Sequence, residues 1–60
     1  MNCKDIEIYG DLLDRIDLDI NITNKLYRYE NKLYLITMKN GEYISCYQVY
    51  STGIYKEYSV

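Results

Sequence analysis

Asn40-Gly41 stands between two segments that alternate apolar and polar residues. Both positions of the tightest hairpin turn need a positive φ, and Asn-Gly supplies it at low cost. The dipeptide therefore fixes an antiparallel hairpin and its starting register. Lys39 is expected opposite Glu42, Met38 opposite Tyr43, Ile36 opposite Ser45 and Tyr34 opposite Tyr47 on one face. Thr37 with Ile44, Leu35 with Cys46 and Leu33 with Gln48 make the other face. Glu30-Asn31 marks a second hairpin before this one. Ser51-Thr52-Gly53 marks a third turn after it. Strands are expected at about 26–30, 32–39, 42–50 and 54–59.

The segment ahead of the sheet has a different period. Ile6, Tyr9, Leu12, Leu13, Ile16 and Ile20 recur at three- and four-residue steps and form one stripe of a helix. The helix is expected over about residues 4–19, capped by Asn2, with Gly10 inside it at a cost of about 1 kcal/mol. A helix beginning only after Gly10, with 4–9 as a strand, is the alternative. The expected fold class is α+β: an N-terminal amphipathic helix packed on a four-stranded antiparallel meander, as one domain over residues 1–60. The helix is expected to cover Leu33, Leu35, Ile44 and Cys46. Tyr34, Ile36, Met38, Tyr43, Tyr47 and Val49 would remain as an open apolar-aromatic face.

Sixty residues bury too little surface for ample stability without a staple or a partner. Two cysteines and no histidine are too few for a disulfide framework or a four-ligand zinc site. Association into a homodimer is the expected source of further burial. There is no signal-like or membrane-length apolar run, which places the chain in the cytoplasm with reduced thiols. No cofactor or metal is expected. Asp17, Asp19 and Asn21 begin like a calcium loop, but Ile22 stands where glycine is needed and Arg28 where the bidentate glutamate is needed. Asn21-Ile22-Thr23 is a formal glycosylation sequon without the secretory context that would make it one.

Function has to be read from charge and tyrosine. Residues 1–24 carry Asp5, Glu7, Asp11, Asp14, Asp17 and Asp19 against Lys4 and Arg15, a net −4. Residues 25–60 carry a net +2 and eight of the nine tyrosines, while phenylalanine is absent. The A/T-rich codons behind Ile, Asn, Lys and Tyr would favour Phe equally, so the hydroxyl itself is selected. Tyrosine suits surfaces with a buried body and a wet tip. Without histidine, and with the thiols lacking a neighbouring base, catalysis is not expected.

Two function classes remain. The first is a small non-catalytic module that binds a host protein, of the kind phages and mobile elements use against bacterial defence, anti-CRISPR proteins included. Asp11, Asp14, Asp17 and Asp19 would mimic phosphates or fill a basic groove, and Tyr34, Tyr43 and Tyr47 would anchor the contact. The second is a nucleotide or single-strand binder, with Tyr34 and Tyr47 stacking on bases and Arg28 or Lys32 taking phosphate. Duplex nucleic acid is disfavoured by the acidic helix.

Overall fold

The computed structural model describes residues 3–50 and 55–57. Helix α1 spans Cys3–Tyr9, followed by strands β1 (Asp11–Asp17), β2 (Ile22–Tyr29), β3 (Lys32–Lys39), β4 (Glu42–Val49) and β5 (Tyr55–Glu57). The strands pair in chain order as one antiparallel meander. The α+β class and the meander therefore stand as expected, but the meander has a fifth strand. That strand is β1, made from residues the apolar stripe assigned to the helix.

The correction turns on Gly10. Its N–H donates to the Ile6 carbonyl at 2.8 Å, closing the last helical turn. A Cβ at this position would sit 2.5 Å from the Ile6 oxygen and 3.1 Å from the Arg28 oxygen. Gly10 is thus a stop where the backbone passes close to β2, not a tolerated interior glycine. The alternative that began the helix after Gly10 is inverted as well, because the helix lies before it. Seven residues are too few to be helical alone, so packing holds α1 in place. Cys3 and Ile6 are its buried side chains. Burial of Ile6 contributes about 2–3 kcal/mol. The expected cap, Asn2, lies outside the described residues.

The hairpin turns form as their residues require. Asn40 and Gly41 have φ of 53° and 79°, and Glu30 and Asn31 have 50° and 64°. Lys39 faces Glu42 and Met38 faces Tyr43 as the turn dictates. The register then shifts: Thr37 pairs with Ser45 and Ile36 with Cys46, which leaves Ile44 as an extra residue. This bulge reverses the faces of β4 beyond it. Tyr34 consequently pairs with Gln48, and Tyr47 with Leu35.

The bulge and the docking of α1 together overturn the expected face assignment. The helix covers the face of Tyr27, Tyr34, Ile36 and Cys46, which joins Cys3 and Ile6 in the buried core. Tyr29, Met38 and Tyr43 pack around it. Leu33 and Leu35 lie on the opposite face with Tyr47 and Val49, by their pairing in the ladder. β2 begins earlier than its expected start at residue 26, at Ile22. The Ser51-Thr52-Gly53 turn lies outside the described residues, and the described part of the last strand is Tyr55–Glu57.

Candidate protein-binding surface

Cross-strand pairing sorts the side chains into rows, because directly opposed residues share a face. On the face turned from the helix, Asp14 opposes Leu26, which opposes Leu35, which opposes Tyr47. Beside that row, Ile16 opposes Asn24 and Asn24 opposes Thr37. A further row runs Asp11, Arg28, Leu33 and Val49. Among the described residues nothing covers these rows. A shallow groove of about 240 Å³ lies between Asp14, Ile16, Asn24, Leu26 and Leu35. Its floor is aliphatic. One rim is fixed by the Thr37 hydroxyl, which donates to Asn24 Oδ1 at 2.7 Å. The other rim carries the Asp14 carboxylate.

β1 forms one margin of this surface. All seven of its residues are exposed. Leu12, Leu13 and Ile16 are about half exposed, and Ile20, in the loop after the strand, is 93% exposed. A bulge at Leu13 separates the pairs Leu12–Tyr27 and Asp14–Leu26. Aspartate is poorly suited to a central strand, but an exposed edge keeps its carboxylates in water.

The four acidic candidates are brought to this margin, each in a different setting. Asp11 Oδ2 lies 3.7 Å from Arg28 Nη2 across the strand pair. Asp14 Oδ1 accepts the Arg15 backbone N–H at 2.8 Å. Asp19 Oδ1 accepts the Ile20 N–H at 2.7 Å and holds the turn. Asp17 Oδ1 accepts the Thr23 hydroxyl at 3.0 Å and the Arg15 Nε–H at 3.3 Å. The Thr23 bond, then Arg15, hold the Asp17 carboxyl below the usual carboxylate range. Asp11 and Asp14 belong to the open face. Asp17 points the other way, toward the helix-bearing face, by its pairing with Thr23.

The tyrosine anchors are divided. Tyr47 lies on the open face, half-buried. Tyr34 is fully buried and cannot meet a partner. Its ring tilts 55° against that of Tyr29, with centroids 6.5 Å apart. Tyr43 is spent internally: its hydroxyl donates to Glu7 Oε1 at 2.7 Å. Lys25 Nζ donates to the other oxygen of Glu7 at 3.3 Å. Glu7 thus ties the helix to β2 and β4, a junction that sequence reading missed because its helix stripe counted apolar residues alone. The nucleotide-binding set is likewise not assembled. Arg28 and Tyr47 lie on the open face, Lys32 and the enclosed Tyr34 on the other.

Neither thiol resembles a nucleophile. Cys3 and Cys46 are both buried and not joined by a disulfide. Burial, then the hydrogen bond with Cys46, push the Cys3 thiol up to about 12. Burial raises Cys46 as well. Among the described residues no helix is long and apolar enough to cross a membrane. Neither family models, nor curated proteins, nor solved structures yield a match to the chain.

Proposed function

We propose that this chain is a small non-catalytic module that binds another protein, acting as a phage or mobile-element inhibitor in the host cytoplasm. The carrying observation is the sheet face that the described residues leave open beside an acidic edge. Ile16, Leu26 and Leu35 offer an aliphatic floor, with Asp11 and Asp14 at its margin. An apolar face with an acidic rim suits a basic site on a protein that handles nucleic acid, and covering that site blocks it sterically. Tyr47 is the tyrosine anchor retained in this reading, because it lies on the same face. The absence of histidine and the burial of both thiols support a role without chemistry.

The test is interference with a bacterial defence system. Cells carrying an active nuclease-based defence are challenged with phage, with and without the protein. The wild-type chain should lower restriction. Reversing charge in Asp11→Lys/Asp14→Lys should abolish that effect while leaving the circular dichroism spectrum unchanged. Full inhibition by the folded double variant would sink the acidic-rim mechanism.

A further inference from the structure

The outer edge of β1 is open: among the described residues no strand pairs with it. Its hydrogen-bonding phase can be read from the loop that follows. Leu18 N–H donates to the Ile22 carbonyl at 2.9 Å, so the backbone groups of Leu18 point toward β2. Direction alternates along a strand, so Arg15 and Asp17 turn their N–H and C=O groups outward. Such an edge is a template for another strand.

We propose that a second copy of this chain occupies the edge, joining the two sheets antiparallel through β1, with Ile16 opposite Ile16. A two-fold axis normal to the sheet passes between those isoleucines. Each Arg15 then lies opposite Asp17 of the second copy, and this pair exchanges both backbone hydrogen bonds once the exposed Asp14 side chain releases the Arg15 N–H that it holds at 2.8 Å.

Charge selects this register. A symmetric antiparallel pairing sets one residue of β1 opposite itself. Centred on Asp14 it opposes two carboxylates. Centred on Arg15 it opposes two guanidinium groups. Centred on Asp17 it again opposes carboxylates. Leu13 is the bulge, where the strand is not regularly extended. Centred on Ile16, the axis pair is apolar and the flanking pairs are Arg–Asp. Within one chain Arg15 Nε already lies 3.3 Å from Asp17 Oδ1, and both side chains are more than half exposed. Two copies would set two arginines and two aspartates in alternation on one face, each facing an opposite charge across the seam.

The symmetry has a consequence for the open face. An axis normal to the sheet leaves both open faces on the same side. The two Ile16 side chains meet at the seam, so the two grooves adjoin and make one broader surface. Helix α1 enters β1 at Asp11, and the antiparallel register carries the two helices to opposite ends of the seam. Overlap is limited to a few residues around Ile16. The dimer therefore belongs to the small, reversible end of the interface range.

Sedimentation equilibrium of the full chain up to millimolar concentration tests this. A reversible monomer–dimer equilibrium is expected. Arg15→Asp alone and Asp17→Arg alone each place like charges opposite, and each should weaken dimerisation at least about tenfold. The swap Arg15→Asp/Asp17→Arg should restore it. Amide exchange supplies a second reading on the wild-type chain: the Arg15 and Asp17 amides should gain protection as concentration rises. A wild-type chain that stays monomeric overturns the proposal. So do single variants that dimerise unchanged, a charge swap that fails to rescue, or edge amides that stay unprotected in the dimer. The host-protein reading depends on Asp11 and Asp14 and is scored separately, so either proposal can fail alone.

Discussion

Single side chains explain why the chain uses tyrosine where phenylalanine would fill the same space. Tyr43 packs its ring at the border of the core and sends its hydroxyl to Glu7. That bond is to a carboxylate, which also takes the Lys25 ammonium. Tyr43→Phe keeps the ring and removes the bond, so it should cost about 1.5–3 kcal/mol in urea unfolding. Glu7→Gln should cost less than Glu7→Ala, because the amide still fills the site and accepts one bond. Equal stability of Tyr43→Phe and wild type would show that water serves the Glu7 carboxylate as well as the hydroxyl does. The preference for a hydroxyl was legible in composition, since nine tyrosines stand against no phenylalanine. Where the hydroxyl goes was not legible. Glu7 and Tyr43 are far apart in sequence, and only the docking of the helix joins them.

At the scale of elements, the turns were legible and the faces were not. Asn40-Gly41 and Glu30-Asn31 are local signals, and each formed a two-residue hairpin with positive φ at both positions. Periodicity failed after Gly10 and at Ile44 for the same reason. Leu12, Leu13 and Ile16 continue a helical stripe in sequence, but the leucines lie at a bulge. An extra residue in a strand spoils the period of two and imitates a helical step. Ile44 is the same device in β4, and one unpaired residue there reversed the expected faces of Cys46 and Tyr47. Gly10→Ala separates the helix-interior and close-approach accounts of this glycine by sign. An interior glycine replaced by alanine gains about 1 kcal/mol. A Cβ placed 2.5 Å from the Ile6 carbonyl should instead cost about 1–3 kcal/mol, because backbone must move. The shift in urea midpoint, at unchanged slope, decides between them.

At the scale of the whole molecule, the described residues form a sheet covered on one side by a seven-residue helix, and their buried side chains gather in one small core. Two thiols and the Tyr43 hydroxyl belong to that core or border it, and all three groups are acids held in their neutral form. Burial, followed by the bond with Cys46, pushes Cys3 up to about 12 from an ordinary value of 9.0. The Glu7 bond, followed by burial, pushes Tyr43 up to about 12 from 10.0. Burial raises Cys46 in the same direction. The sign of the pH effect follows from linkage. Above pH 9 the unfolded chain releases thiol protons that the folded chain keeps, so protons no longer favour both states equally. Stability must fall as pH rises. Each fully buried thiol contributes a slope of up to about 1.4 kcal/mol per pH unit, and Tyr43, partly in water, contributes less from about pH 10. With no histidine in the chain, stability should be nearly flat from pH 6 to 8, where few groups titrate. Urea unfolding at pH 7, 9, 10 and 11 should therefore show a plateau and then a steep loss beginning near pH 9. In Cys3→Ala/Cys46→Ala the loss should begin about one unit later, at the tyrosine step, from a lower plateau set by the lost packing. A wild-type stability that stays level through pH 10.5 would mean that water reaches the thiols and that the helix does not seal the core.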